Sequence, residues 1–376
     1  MESIAAVVFF VYGLCILSLS YGWLKLKRQP ILHASLTPRT RVSVVVAIRN
    51  EEKNINLLLK HLSVQRYPRH LYEIILADDH SSDGTLSVIN KWIQESDLYI
   101  RVVHNAARDT GKKAALRNGI NKATGTLILT TDADCTMNEC WIISMVSFYE
   151  KENPRMILGP VLYRTPGNKV FGHFQALEFI SLQATSAGSA SLNRPLFCNA
   201  ANMAFSRKIY NELRDPLSSK TVSGDDTLFL LAIKKKHPGT IRFNKNPHAV
   251  VETLPEKNFT DFWNQRKRWV SKSKYYRDFD ILFVSVLVFV TNLLISTGAV
   301  MMFFNPLFVN YVAVLFLLKL LIDSCLLFPF ILYYRKHHLL LSYLPSQLVY
   351  PFYITATALG GRLLGFEWKN RSYHVN

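Results

Sequence analysis

Two long apolar stretches constrain the fold of this chain more than any other feature. Ser3 to Leu24 form one apolar run, and a second apolar block extends from about Ile281 to Phe366. A helix needs about 20 apolar residues to cross a bilayer, so both stretches are long enough to span it. Residues 25–280 between them have an ordinary globular composition. The sequence therefore predicts a globular domain between membrane segments.

The C-terminal block contains two clear candidate spans, about Ile281 to Phe304 and Leu307 to Tyr334. A third, Leu339 to Leu364, is interrupted by Pro345, Pro351 and a pair of glycines. It either spans with a kink or lies partly in the interface. Three full C-terminal spans place the tail outside, whereas an interfacial third segment keeps the tail in the cytosol, and both alternatives stay open.

The charges after the first apolar run predict its orientation. No basic residue precedes its core, and Lys25, Lys27 and Arg28 follow it, which favours a retained membrane helix over a cleaved signal peptide. The positive-inside rule then places the globular domain in the cytoplasm. Five cysteines at scattered spacings are typical of a reducing compartment.

The net charge of +17 is most simply understood as an adaptation for binding to an anionic membrane surface. An anionic substrate such as a nucleotide diphosphate is a second explanation. No zinc-finger, RRM or helix-turn-helix signature is present, so we expect no nucleic-acid partner.

The globular region alternates strand and helix patterns. "RVSVVVAIRNEE" begins with a β-branched run that is too uniformly apolar for a half-exposed strand, and "NINLLLKHLSVQ" follows at helical spacing. Similar units follow at "YEIILADDHSSDGTLSVINKWI", "LYIRVVHN" with "GKKAALRNGINKAT", and "GTLILTTDADC". This alternation predicts a doubly wound, mostly parallel α/β sheet.

Polar residues follow the predicted strands at the edge where such sheets bind ligands. They are Asn50, Glu51, Asp78, Asp79, Asp132 and Asp134. Helix N-capping is the alternative explanation of such turns, and it suits Ser81, Ser82 and Asp83 before the next predicted helix. Asp132 and Asp134, however, project from the same side of an extended segment and can share one hard cation with phosphate oxygens. We therefore expect Mg²⁺ or Mn²⁺ bridging a diphosphate.

Two further stretches carry candidate chemistry. In "SGDDTLFLLAI", Asp225 and Asp226 begin a predicted helix, where they either complement its dipole or supply a general base. The second stretch is "WNQRKRW", residues 263–269, which could simply form an aromatic belt at the membrane edge. Arg268 could instead pair with phosphate, and Trp269 could face a sugar ring.

Six stretches occur in one order over residues 41–269: "RNEE", "DDHSSDGT", "GKKAAL", "DADC", "GDDTLF" and "QRKRW". In that order they resemble the motifs of family 2 glycosyltransferases with a GT-A fold. The similar branch is membrane-integrated and includes cellulose, hyaluronan and poly-N-acetylglucosamine synthases and ceramide glucosyltransferase. The ending "FEWKNRSYH" is similar to the W-K-x-R-x-Y ending of that branch.

The resemblance implies a role for each matching residue. Nucleotide and phosphate binding is expected at Asn50, Glu51, Asp78 or Asp79, Lys112 and Asp132, and metal binding at Asp132 and Asp134. Asp226 is expected to be the catalytic base, beside Asp225, where the family usually has glutamate. Gln265, Arg268 and Trp269 match Q-x-x-R-W, in which Arg pairs with the diphosphate and Gln and Trp line the acceptor end.

The resemblance also implies an organisation of the chain. The expected parts are a transmembrane helix at 1–26, a cytosolic GT-A domain at 38–275 with interfacial helices at about 174–192 and 258–275, a membrane region at 281–366 and a tail at 367–376. It implies an integral membrane protein with a cytoplasmic catalytic domain, in a bacterial inner membrane.

The expected function is inverting, metal-dependent transfer of a sugar from a UDP-sugar donor to a membrane-associated, lipid acceptor. One alternative is a processive synthase that elongates and secretes a glycan, although few helices are available to wall a path for it. Another is a non-catalytic scaffold in an envelope-assembly complex. Membrane lipids are expected partners, and a homo-oligomer or an envelope-biosynthesis partner stays open.

Overall fold

A computed structural model describes residues 2–28, 39–106, 108, 110–165, 167, 170–213, 225–306, 308–363, 366–368 and 371–373. The twelve α-helices of these residues are α1 Glu2–Lys25, α2 Glu52–Ser63, α3 Thr85–Glu95, α4 Lys112–Lys122, α5 Trp141–Glu152, α6 Val170–Ser191, α7 Arg207–Glu212, α8 Asp225–Lys236, α9 Phe259–Ser271, α10 Phe279–Met301, α11 Phe308–Tyr333 and α12 Tyr343–Leu363. The strands in the same ranges are β1 Val42–Ile48, β2 Tyr72–Asp78, β3 Ile100–His104, β4 Leu127–Asp132, β5 Thr136–Met137, β6 Met156–Leu158, β7 Val161–Tyr163, β8 Met203–Ser206, β9 Ile241–Phe243, β10 Val251–Thr253, β11 Phe366–Trp368 and β12 Arg371–Tyr373.

These elements form two compact units. One contains residues 26–164 and 193–254, and the other contains residues 1–25, 165–192 and 255–376. Residues 165–192 and 255–275 therefore group with the long apolar helices, whereas the sequence placed them in the predicted 38–275 domain. The predicted domain boundaries divide the chain by function, whereas the two units divide it by contacts. The predicted boundaries therefore stay a prediction.

The first unit is built on a seven-stranded sheet with the order β3-β2-β1-β4-β8-β6-β9. The first four of these strands are parallel, and β8 runs antiparallel to both β4 and β6. The predicted order of strands and helices through β4 is thus confirmed. The helices that connect parallel strands cover both faces of the sheet, so the strands are buried on both sides. This burial explains why most residues of β1 and β2 are apolar.

Helix α4 packs very closely on this sheet. A Cβ atom at Gly119 would lie 2.7 Å from Val45 Cγ1 of β1 and 3.2 Å from Ala77 Cβ of β2. The first distance is shorter than Cβ atoms normally show, and the second is tight. The small residue lets α4 lie directly on the strands, so its N-terminus is fixed at their carboxyl edge.

A second, three-stranded sheet with the order β5-β10-β7 extends this unit. Strand β5 follows Asp134 directly along the chain and pairs antiparallel with β10. The pairing brings Thr253, the last residue of β10, beside the predicted metal residues.

The second unit contains three helices that are long and apolar enough to cross a membrane: Ser3–Lys25, Phe279–Met301 and Phe308–Tyr333. Among the described residues, the predicted N-terminal helix and the two clear C-terminal helices are thus confirmed as helices long and apolar enough to span. Helix α12, the uncertain third C-terminal segment, contains Pro351 and is not among these helices in the part of the chain that the structure describes.

Helix α6 is buried among the helices of this unit. It packs against α1, α11 and α12, and most of its residues are buried, including Gln175, Glu178 and Gln183. A methyl group at Gly22 or Gly188 would collide with the backbone of the opposite helix, so α1 and α6 approach closely through these glycines. The sequence analysis expected an interfacial helix at about 174–192, and a location at the membrane surface stays a prediction.

Polar side chains also join α1, α11 and α12. Lys319 Nζ lies 2.5 Å from Asp323 Oδ2, four residues further along α11. Tyr12 donates a hydrogen bond of 2.6 Å to Asp323 Oδ1, and Lys319 donates one of 2.9 Å to Gln347 Oε1. These contacts satisfy the buried charges internally.

Candidate active site

The register of the parallel strands aligns the predicted site residues. Ile48 of β1 pairs with Asp78 of β2, and Ala47 pairs with Asp132 of β4. Asp78 and Asp132 therefore lie on either side of the carboxyl end of β1. This is the edge at which open α/β sheets bind ligands.

Asn50 joins the turns after β1 and β2. Its backbone is in the left-handed region, with φ of 53°, which asparagine adopts more readily than most residues. Asn50 Oδ1 accepts a hydrogen bond of 2.8 Å from the Ser82 amide, and the Asn50 amide donates to Ser81 Oγ. The adjacent Glu51 amide donates a 2.8 Å hydrogen bond to Thr85 Oγ1.

Asp79 is almost completely buried and holds the loop before α4. Its Oδ1 accepts a 2.7 Å hydrogen bond from the Gly111 amide, and its Oδ2 lies 3.3 Å from Arg49. Gly111 has φ of 100°, a conformation that favours glycine. Asp78 accepts from the Ser81 amide at 3.1 Å. Asp79 thus fixes the start of α4.

Lys112, the first residue of α4, reaches the end of β4. Its Nζ lies 2.6 Å from Asp132 Oδ1, and both side chains are about one third exposed, at 35% and 29%. The pair therefore lies at the open edge of the sheet. The sequence predicted both residues as phosphate-binding candidates, and the structure brings them into contact.

Asp134 lies beside this pair, with part of its side chain exposed to solvent and part surrounded by protein atoms. Desolvation by surrounding protein atoms and the charge of Asp132 both raise the pKa of Asp134. Thr253 Oγ1 donates a 3.1 Å hydrogen bond to Asp134 Oδ2, which holds one of its two oxygens. Two neighbouring carboxylates with this mutual repulsion fit a hard divalent cation, because a cation would offset the repulsion.

The described side chains that could bind a metal ion at this edge are few. Among the described residues, no group of three or more His, Cys, Asp or Glu side chains is arranged to hold a metal ion. A cation at Asp132 and Asp134 would thus complete its coordination with oxygens from phosphate or water, which is usual for Mg²⁺.

Asp226 lies on the first turn of α8 and is tied to the neighbourhood of β4. Its Oδ2 accepts a 3.3 Å hydrogen bond from the Ala200 amide, and Oδ1 accepts from the Thr227 amide at 2.8 Å. Thr130 of β4 donates to the Ala200 carbonyl at 2.6 Å. Asp226 is therefore linked through one residue to the strand that ends at Asp132. The side chain of Asp225 lies outside the described part of the structure.

Asn199 and Asn202 lie in the loop just before β8. Asn199 Oδ1 accepts from the Ala201 amide at 2.9 Å, which is a cap. Asn202 is buried, and its amide group bonds to Trp141, Pro160 and Ala249. Loop structure therefore accounts for both.

Helix α9, in the other unit, carries Gln265, Arg268 and Trp269. Gln265 Nε2 donates a 2.5 Å hydrogen bond to Glu256 Oε1, and Arg268 is partly buried. The ring of Trp269 lies 4.2 Å from the guanidinium carbon of Arg266. Two motif residues are thus held in defined positions.

Sequence reasoning missed three residues that contact the candidates. Thr253 orients Asp134, Arg266 contacts Gln265 and Trp269, and Glu178 pairs with Arg266. Arg266 lies within the quoted motif, but nothing in "QRKRW" distinguishes a buried arginine from a surface one. The sequence contains one indication of a role for Glu178, because it is a lone carboxylate in an otherwise nearly uncharged helix.

The fold and site define a class of protein. A mostly parallel α/β sheet places a lysine and two aspartates at its ligand-binding edge, in a chain with three helices of membrane-spanning length. Residues 43–214 match the model of the family described as "Glycosyl transferase family 2". The chain thus contains a family 2 glycosyltransferase domain, and the family resemblance read from the motifs is confirmed.

Two curated relatives match parts of the chain. A "Dodecaprenyl-phosphate galacturonate synthase" of Rhizobium johnstonii is 37% identical over 120 residues, which are 31% of this chain and 35% of the relative. A "Probable glycosyltransferase YdaM" of Bacillus subtilis is 26% identical over 240 residues, or 62% of this chain and 56% of the relative. The matches thus cover only about a third and about half of these relatives.

A solved structure resembles nearly the whole chain. It is a mannosyltransferase, PcManGT, from Pyrobaculum calidifontis in complex with GDP-Man and Mn²⁺. The TM-score is 0.60 at 19% identity, and the alignment covers 96% of this chain and 98% of that one. The predicted GT-A type of fold is confirmed.

Proposed function

We propose that this protein is a membrane-embedded, inverting glycosyltransferase that transfers a sugar from a UDP-sugar to a lipid acceptor at the cytoplasmic membrane face. The observation that carries the proposal is the cluster of Lys112, Asp132 and Asp134 at the carboxyl edge of β1 and β4, within a family 2 domain.

The charges of this cluster suit a diphosphate. The Lys112 ammonium can donate to phosphate oxygens, and such charge-assisted hydrogen bonds are stronger than neutral ones. Asp132 and Asp134 would hold Mg²⁺ or Mn²⁺, which would neutralise part of the diphosphate charge when bound. Asn50, Glu51 and Asp79 lie in the turns of the same edge and are proposed to shape the nucleoside site.

Asp226 is proposed to be the base. The acceptor hydroxyl transfers its proton to the Asp226 carboxylate as its oxygen attacks the anomeric carbon. The bond from that carbon to the nucleoside diphosphate breaks, and its electron pair leaves with the diphosphate, so configuration inverts in one displacement. Lys112 stabilises the charge on the leaving group. The backbone amides of Ala200 and Thr227 fix the Asp226 carboxylate for this task.

The remaining motif residues keep the roles that their resemblance implies. Arg268 is proposed for the diphosphate, and Gln265 and Trp269 for the acceptor. Asp225 is the rival candidate for the base.

The lipid acceptor is supported by two observations. In the described part of the chain, three helices are long and apolar enough to cross a membrane, and a matching relative is named as a dodecaprenyl-phosphate galacturonate synthase. A secreted polymer would need a polar path through protein, because unsatisfied hydroxyls in hydrocarbon each cost several kcal/mol. The few spanning helices favour a lipid product over a secreted glycan.

The experiment uses the full chain purified into lipid nanodiscs. UDP release is measured for a panel of UDP-sugars with Mg²⁺ or Mn²⁺, with and without extracted membrane lipid, and nanodiscs without the protein serve as the blank. We expect one donor to give UDP release that depends on added lipid. No UDP release above that of the blank with any donor would contradict the proposed activity.

A further inference from the structure

A buried ion pair lies behind the motif on helix α9. Arg266 and Glu178 have side chains only 2% and 6% exposed, and Arg266 Nη2 lies 2.5 Å from Glu178 Oε2. Arg266 Nε also donates to Glu178 Oε1 at 3.2 Å, so the guanidinium fork engages both carboxylate oxygens. Tyr353 of α12 donates a further hydrogen bond of 3.2 Å to Glu178 Oε1. Three helices, α6, α9 and α12, therefore meet at one carboxylate.

The same guanidinium contacts two motif residues. Arg266 Nη1 donates a hydrogen bond to Gln265 Oε1. The ring of Trp269 lies 4.2 Å from its guanidinium carbon, and the ring of Phe262 lies 4.4 Å from it. Arg266 is thus enclosed by aromatic rings, an arrangement that favours a delocalised planar cation.

Gln265 has a second fixed partner. Its Nε2 donates to Glu256 Oε1, and the Glu256 backbone exchanges hydrogen bonds of 2.9 Å each way with the Gln175 side chain of α6. Helix α6 therefore supports Gln265 from two sides, once through Glu178 and Arg266 and once through Gln175 and Glu256. Neither Gln265 nor Trp269 depends on α9 alone for its orientation.

We infer that the Arg266–Glu178 ion pair positions Gln265 and Trp269 for the acceptor, and that Arg266 is a positioning residue and not a group that touches substrate. An arginine on the protein surface could not make these contacts, because its partner Glu178 is buried. A pair that served stability alone would not need contacts to the two motif residues. This inference rests on the proposed function, because it concerns the acceptor end of the same reaction.

Double replacement separates positioning from stability. Removing one partner leaves the other charge buried, so Glu178→Gln alone should lower the thermal unfolding midpoint. Replacing both partners by apolar residues of similar length is often neutral for stability. We therefore expect Glu178→Met/Arg266→Met to recover the unfolding midpoint of the wild type.

Transfer kinetics supply the deciding readout. Displacing acceptor groups by about 1 Å can cost about 10²-fold in rate, so the double variant should lose about that factor in kcat/KM for the acceptor. Its dissociation constant for the UDP-sugar should stay unchanged. Arg266→Lys keeps the charge but not the planar fork, and should lose rate as well. Trp263→Leu, on the same helix and stacked on Phe259, is the matched control and should retain its kcat/KM.

The results distinguish a failure of this inference from a failure of the proposed function. Transfer kinetics at the wild-type level in a stable double variant would overturn this inference, as would full rates in Arg266→Lys if the double variant unfolds. No transfer by the wild-type protein would instead contradict the proposed function.

Discussion

Lys112 and Asp132 form an ion pair across the edge of the sheet, with Lys112 Nζ 2.6 Å from Asp132 Oδ1. The two residues begin α4 and end β4, so the contact joins a helix N-terminus to a strand end. A diphosphate that entered this edge would compete for the Lys112 ammonium and draw it away from Asp132. The ion pair therefore lies where the proposed diphosphate would bind.

Lys112→Met should weaken donor binding. It removes a charge-assisted hydrogen bond, and such bonds contribute about 1.5–3 kcal/mol, so the dissociation constant for the UDP-sugar should rise about 10- to 100-fold. Calorimetry on the full chain in nanodiscs measures this. Lys113→Met, at the next position on α4, is the control, and an equal loss in both variants would mean that only overall charge matters.

Asp134→Asn should stabilise the protein in the absence of metal. Desolvation and the Asp132 charge raise the pKa of Asp134 in the folded state, so stability falls as pH rises from the unfolded pKa through the raised folded pKa. At pH 7 the ionised Asp134 is thus unfavourable, and a neutral amide relieves it. Thermal unfolding with excess chelator should show a higher midpoint for Asp134→Asn and no change for the exposed Glu95→Gln.

The same variant tests the metal site. Mn²⁺ should raise the unfolding midpoint of the wild type, because a ligand that binds only the folded state stabilises it. Asp134→Asn should lose most of that increase. Equal stabilisation of both proteins would place the metal elsewhere.

Asp226→Asn should separate chemistry from binding. The amide keeps the size of the side chain but cannot accept the proton, so turnover should fall by about 10²-fold or more while donor affinity persists. Asp225→Asn is the paired variant. If Asp225→Asn is inactive and Asp226→Asn is not, the base has been assigned to the wrong member of the pair.

Lys245→Met should change the pH dependence of stability. Burial lowers the pKa of Lys245 to about 8. The unfolded lysine has a pKa of about 10.4, so between these values the unfolded state binds more protons and the free energy of unfolding rises with pH. The variant should be more stable at pH 7 and lack this rise, whereas replacing the exposed Lys60 of α2 should preserve it. Urea unfolding at pH 7 to 10 measures both.

The sequence predicted the sheet edge well because its determinants are local. Uniformly apolar strands followed by polar turns identified β1, β2 and β4, and the register of parallel strands then brings Asp78 and Asp132 together.

Other features depend on tertiary contacts that no local pattern specifies. The burial of Arg266 is decided by Glu178, which lies 88 residues away in the chain. The partners of two polar residues of α6 are similarly distant in the chain, since Gln175 bonds to the Glu256 backbone and Glu178 pairs with the buried Arg266. Thr253 reaches Asp134 only because β10 pairs with β5.

The size and solubility of the product test the central claim most directly. The purified full chain in nanodiscs is supplied with a radiolabelled UDP-sugar, divalent cation and extracted lipid, and the products are partitioned between organic solvent and water. We expect a discrete, organic-extractable glycolipid that is absent with Asp226→Asn. A long, water-soluble, glycanase-sensitive polymer would contradict transfer to a lipid acceptor and identify a processive synthase instead.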